Sequence, residues 1–224
     1  MKQQLTLEQL CREAAWFAQA EATHAEPALY GVDNGKTIGT YLEHKFRRHL
    51  RDNYTYDEGN SADGIDFPGL SVDMKVTRRS QPQSSCPFRS ARQKIFGLGY
   101  SLLVLVYEKS DDDVARTATL EILHAIYIGQ HRTGDYTLTR ILREYYEHEA
   151  NEEDFVAVLR DRNLPVDEIG AREIAEQLIE RPPEQGYVTV SNALQWRLQY
   201  SRAISVAGTV DGVAELLPGK EPVA

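Results

Sequence analysis

The stretch that most constrains this chain is Ser101 to Glu108, SLLVLVYE. A strand that is apolar on both faces must be covered on both sides, so it belongs in the middle of a sheet. A second strand is expected over 117–128, where Leu120, Ile122, Ile126 and Ile128 share one parity. Helical spacing appears over 7–22, with Leu7, Leu10, Cys11, Ala14 and Phe17 on one stripe, and again over about 37–51 and 89–98. From Tyr136 to about Arg181 the pattern is helical and acidic. Residues 187–216 read as a helix, Ser191 to Arg202, followed by one or two short strands. The expected fold class is α/β: a central mixed sheet of three to five strands flanked by helices, with a helical C-terminal part. Residues 1–130 are expected to form the core and 131–224 a mostly helical region.

Composition removes several classes. Lys and Arg number 25 against 34 Asp and Glu in 224 residues, a net charge of −9, so the whole chain is not a basic glove for nucleic acid. No apolar run approaches the ~20 residues needed to span a bilayer, and MKQQLTLEQLCREAAWF lacks the pattern of a signal peptide. Two cysteines, Cys11 and Cys86, make neither a disulfide framework nor a zinc site. The expectation is a soluble cytoplasmic protein without a membrane partner.

Charge is nevertheless partitioned. Residues 75–94 hold six Lys and Arg and no acid, residues 36–51 hold five against the single Glu43, and residues 143–184 hold thirteen acids against five bases. The basic stretches flank a predicted hairpin, Gly64 to Phe67, a turn at Pro68-Gly69, and Leu70 to Thr77. On its second strand Ser71, Asp73, Lys75 and Thr77 share one face. A two-residue turn would set Asp66 opposite Ser71 and diagonal to Asp73, roughly 7–8 Å apart at the backbone. Two carboxylates so placed can lean onto one hard cation, and Lys75 stands on the same face. These are parts for metal-assisted hydrolysis of a phosphodiester. A solvated face with an Asp–Lys pair uses the same residues.

The segment GIDFPGLSVDMKVT resembles the catalytic hairpin of the PD-(D/E)xK nuclease superfamily, with Asp66 followed by Asp73-Met74-Lys75. Gly39 to Glu43 matches the G-x-x-x-E helix element of many restriction endonucleases in that superfamily, and SARQKIFGLGYSLLVLVYEK fits the helix and buried strand that follow the hairpin. The proline usual before the first acid is replaced by Ile65, and the triplet carries Asp where Glu is commoner. The resemblance implies a restriction-endonuclease-like core and a Mg²⁺-dependent type II enzyme, with Mn²⁺ able to substitute. It implies Asp66 and Asp73 as metal ligands with the Met74 carbonyl as a third, Lys75 positioning the attacking water, and Glu43 as a supporting carboxylate. Asp63 falls on the opposite strand parity and is assigned to the loop.

Double-stranded DNA is the expected partner, cut by a homodimer whose system includes a cognate DNA methyltransferase. Arg78, Arg79, Arg89, Arg92 and Lys94 are expected at phosphates or guanines, with Gln81, Gln83 and Gln93 for adenine or backbone contacts. The 191–202 segment resembles the second helix of a winged helix-turn-helix, which would expose Asn192, Gln195, Arg197, Gln199 or Arg202. Two rival readings are a repair or junction-resolving nuclease of the same superfamily and a non-catalytic winged-helix regulator.

Overall fold

The computed structural model describes residues 2–59, 64–86, 88–191 and 197–219. Strand β1 (Gln3–Gln4) leads into helix α1 (Leu7–Glu21), whose start is set by a reciprocal cap between Thr6 and Gln9. After β2 (Ala25–Glu26), helix α2 (Gly35–Asn53) begins at Asn34, whose side chain accepts from the amides of Lys36 and Thr37. Strand β3 (Tyr54–Thr55) returns in parallel beside β1. There follow β4 (Val72–Arg78), β5 (Gln83–Ser85), a single helical turn α3 (Gln93–Phe96), and the long strands β6 (Ser101–Asp112) and β7 (Thr117–Ile128). Helices α4 (Tyr136–Glu147), α5 (Glu152–Asp161) and α6 (Glu168–Glu180) precede β8 (Thr189–Val190), β9 (Arg197–Gln199), α7 (Ser201–Val206) and β10 (Val213–Glu215). The fold is mixed α/β. No helix of the described residues is long and apolar enough to cross a membrane.

Two compact units result: Met1–Ser84 with Leu102–Ile128 and Ile204–Ala224, and Ser85–Ser101 with Gly129–Ala203. The chain passes between units near residue 128. It also does so near 84, 101 and 203, so neither unit is one continuous segment.

In the first unit the main sheet runs β10-β7-β6-β4, with β2 also paired to β7. Strand β6 is buried from Ser101 through Tyr107, as its apolar run requires. Helix α1 lies on β7 and α2 on β4. Their apolar stripes (Leu10, Ala14 and Phe17; Ile38, Leu42, Phe46 and Leu50) close one core over Leu103, Leu105, Leu120 and Ile122. The parity expected along β7 breaks in its middle. Val106 faces His124 whereas Tyr107 faces Ile122, so Leu123 is an extra residue in a β-bulge. Ala125 therefore joins Leu120 and Ile122 in this core, and Ile126 and Ile128 turn to the opposite face.

In the second unit α4, α5 and α6 pack around Leu138, Leu142, Phe155, Leu159, Ile174 and Leu178, joined by Ile95 of α3. The Asp135 carboxylate caps α4 by accepting from Leu138 N at 2.8 Å, and its other oxygen accepts from Val190 N at 2.8 Å, fastening β8 to the helix start. Nearby, a Cβ on Gly186 would meet the Gly134 carbonyl oxygen at 2.0 Å, so only glycine fits.

Three expectations need correction. The predicted helix over 89–98 is one turn, because Gln93 holds the preceding chain in a loop: its Oε1 accepts from Arg89 N at 2.7 Å while its Nε2 donates to Leu98 O. The stretch 78–88, whose two prolines predict a loop, contains β5. The predicted helix from Ser191 to Arg202 does not run through its described end: Arg197–Gln199 is a strand antiparallel to β8, and a helix starts at Ser201. Alternation of Arg197, buried Leu198 and Gln199 is a strand pattern hidden inside a helical-looking window. The second helix of the winged-helix resemblance is interrupted over Arg197–Gln199; Asn192 and Gln195 lie outside the described residues.

Phe46 sits at the centre of the first core with no exposed surface. Phe46→Ala is expected to lower unfolding free energy by about 3–5 kcal/mol, measured by urea denaturation, with the two-state slope unchanged.

Candidate active site

The hairpin forms with a tighter partnership of its two acids than a two-residue turn would give. Phe67 pairs with Val72 across a single antiparallel bridge, and Pro68–Leu70 forms a 3₁₀ turn. Ser71 closes the loop in the left-handed region at φ 52°. That register places Asp66 level with Asp73 instead of diagonal to it, a shift the four-residue loop produces. Asp66 does not lie in a strand; its Oδ2 accepts from Met74 N at 2.8 Å, which fixes its carboxylate beside β4. Asp63 lies outside the described residues.

Asp73 is buried, with its side chain 3% exposed. Its Oδ2 stands 2.6 Å from Lys75 Nζ as an ion pair, yet accepts no aligned hydrogen bond. Burial pushes the Asp73 carboxyl up to about 7; Lys75 pulls against this and Asp66 adds to it. Glu43 arrives from α2 and is likewise raised, chiefly by burial and then by Asp66, with Lys75 and Arg47 opposing. Glu43, from a helix earlier in the chain, thus joins the closely spaced Asp66, Asp73 and Lys75 in one electrostatic cluster.

Helix α2 is aligned by its own small residue. A Cβ on Gly39 would rest 3.9 Å from Val76 Cβ, so the helix runs close to β4 there. Residues four apart share a helix face, which carries Gly39, Glu43 and Arg47 along the strand towards Asp66. Arg47 Nη2 donates to Asp66 Oδ1. The sequence offered Arg47 only as one of several basic residues on the helix; its spacing from Glu43 was the available signal.

Two carboxylates, one of them buried without an aligned donor, fit a hard divalent cation better than they fit each other. A main-chain carbonyl and water would have to complete the shell, since among the described residues no group of three or more His, Cys, Asp and Glu side chains is placed to hold a metal ion. Two histidines of this unit are engaged by acids: His49 Nε2 lies 2.7 Å from Glu13, and His124 Nδ1 lies 2.8 Å from Glu215.

A family model described as type II restriction enzyme NspV matches residues 4–215. The chain belongs to the NspV family of type II restriction enzymes. The type II restriction enzyme NspV of Nostoc sp. (strain ATCC 29411 / PCC 7524) is 58% identical over 209 residues, 93% of this chain and 95% of that protein. No solved structure matches the chain.

The residues expected at DNA in this NspV-family chain fall into several situations. Arg78 donates to the Asp33 carbonyl at 3.2 Å, and Arg79 stands 3.6 Å from Glu108, so the acid-free segment meets acids from elsewhere in the chain. Gln81 and Arg89 are exposed, and Gln83 is half-buried with its amide on the Thr77 hydroxyl. Arg92 donates to Gln177 and lies 5.3 Å over the Phe96 ring. Arg197 is exposed on β9 rather than on a helix, and Arg202 lies 4.4 Å over Tyr136. Two do not fit the expected role. Lys94 is 6% exposed, drawn into the interior where Asp135 compensates its charge, so it is not available to a phosphate. Gln93 is committed to the loop braced above.

With its folded value above the ordinary one, ionised Asp73 destabilises the metal-free fold. The penalty is absent below pH about 4, grows as pH rises, and is complete above about 7. Asp73→Asn should therefore melt several degrees above the parent in EDTA at pH 8, with the gap closing at pH 4. Thermal unfolding at both pH values measures it.

Proposed function

We propose that this chain is a Mg²⁺-dependent, site-specific endonuclease that hydrolyses both strands of double-stranded DNA as a homodimer, each subunit supplying one active site. Mn²⁺ would substitute. A restriction-endonuclease-like core, a cognate methyltransferase in the same system and a cytoplasmic setting belong to this reading. The observation that carries it is the buried Asp73 carboxylate beside Asp66 and Lys75, in a member of a restriction-enzyme family.

In this reading Asp66 and Asp73 hold the cation, with the Met74 carbonyl as third protein donor. When bound, the cation supplies Lewis acidity to the phosphoryl oxygens and lowers the pKa of water. Lys75, 2.6 Å from Asp73 and 18% exposed, is placed at the mouth of the pair, where its ammonium orients the attacking water and faces the developing negative charge. Glu43 is close enough to Asp66 and Lys75 to tune both electrostatically. Arg78, Arg79, Gln81, Gln83, Arg89, Arg92, Arg197 and Arg202 remain the candidates for holding the duplex. The pairing of Arg78 and Arg79 with acids means that DNA must compete for them, which favours selective over indiscriminate phosphate binding.

Incubation with unmethylated DNA should give discrete fragments in Mg²⁺ and none in EDTA. Asp73→Ala and Lys75→Ala should each reduce the cleavage rate at least about a hundredfold, while duplex binding, followed by mobility shift in Ca²⁺, survives. Cleavage that persists in EDTA, or is unaffected by Asp73→Ala, would overturn the reading.

A further inference from the structure

Arg47 is bound to Asp66, one of the two acids through which a cation would be held. Its Nη2 donates to Asp66 Oδ1, while Oδ2 of the same carboxylate already accepts from Met74 N at 2.8 Å. Both oxygens of Asp66 are therefore engaged without any metal. The guanidinium itself is only partly satisfied: its Nε is buried and has no acceptor, although the side chain as a whole is 21% exposed. A planar, partly exposed guanidinium set over a carboxylate is well suited to a tetrahedral oxyanion. A lysine at this point would have neither the fork nor the buried Nε.

We propose that Arg47 is a charge gate on the cation site: it neutralises Asp66 in the free protein, and a backbone phosphate of the bound duplex draws it off, releasing Asp66 to bind the cation. The proposal rests on the nuclease reading above. Competition follows from charge: the guanidinium and the cation seek the same oxygen, so each weakens the other. The phosphate changes the balance by offering Arg47 another acceptor. By linkage, duplex binding and cation binding then strengthen one another. The device would keep the free protein poorly loaded with metal and couple loading to the presence of substrate. A purely structural Arg47–Asp66 brace predicts instead that removing the arginine loosens the hairpin and leaves cation affinity the same or lower.

The test is titration of the DNA-free protein with Mn²⁺, followed by electron paramagnetic resonance, for the parent, Arg47→Met and Asp73→Asn. The parent should bind Mn²⁺ weakly and through Asp73, and Arg47→Met should bind it roughly tenfold more tightly, the scale of one charge-assisted hydrogen bond. Duplex affinity in EDTA should fall in the same variant, and its salt dependence should flatten by about one phosphate contact. Unchanged or weaker Mn²⁺ binding by a folded Arg47→Met overturns the gate while leaving the nuclease reading intact. Absence of Asp73-dependent Mn²⁺ binding in the parent and in Arg47→Met alike overturns both. Should Arg47→Met fail to fold, Arg47→Lys, which keeps a cation on the same helix face, should show a smaller gain in Mn²⁺ affinity; no gain overturns the gate.

Discussion

The burial of one carboxylate, Asp73, against the edge of an apolar core is the constraint around which the first unit is arranged. Its neighbours along β4 are the buried Val72 and Met74, so water cannot solvate it freely. Lys75 compensates part of that penalty, and the remainder appears as a carboxyl group that titrates near neutrality. Such a site is stable only because the surrounding framework is rigid. Helix α2 contributes Phe46 and Leu50 to the core beneath, and β6 supports the same core through Leu103 and Leu105. The apolar framework therefore sets the position and the protonation behaviour of the polar cluster.

Elements with strong local periodicity were legible from the residues. Strand β7 ends where expected, β6 and the first two helices differ by a few residues, and the acidic region resolves into three helices. The failures have identifiable causes. The bulge at Leu123 inserts a residue without any break in apolar character, so parity reading carries the wrong face into the second half of the strand. The segment around Arg197 alternates for only three residues, too short a run to outweigh the helical-looking composition beside it. The four-residue loop after Phe67 hides a register change behind a Pro-Gly pair that reads as a simple turn.

Site legibility divided along the same line. Glu43, Asp66, Asp73 and Lys75 were singled out through the resemblance to a nuclease hairpin, and the structure draws these four side chains together. Their surroundings were not readable, because electrostatic neighbours come from distant chain positions. The segment from Lys75 to Lys94 has no acid in sequence, yet Arg78 meets Asp33 and Arg79 meets Glu108 across space. Lys94 looks like a surface base and is buried. A local charge count describes a peptide, whereas the field at a folded surface depends on which strands and turns lie alongside it.

The balance of charge within the cluster explains why one protein can keep such a site and still meet a polyanion. Glu43, Asp66 and Asp73 oppose Arg47 and Lys75, which leaves one residual negative charge when all are ionised and none when Asp73 carries a proton. The free site is therefore close to neutral and does not need a counter-ion to persist. A bound divalent cation would turn it positive, the sign a phosphodiester requires. Releasing Arg47 from Asp66, as proposed, would add no charge to this sum but would move one already counted from the carboxylate to the phosphate. In the proposed function, near-neutrality without the cation and a positive sign with it would rest on the same five side chains, two on α2, two on β4 and Asp66 in the turn before it.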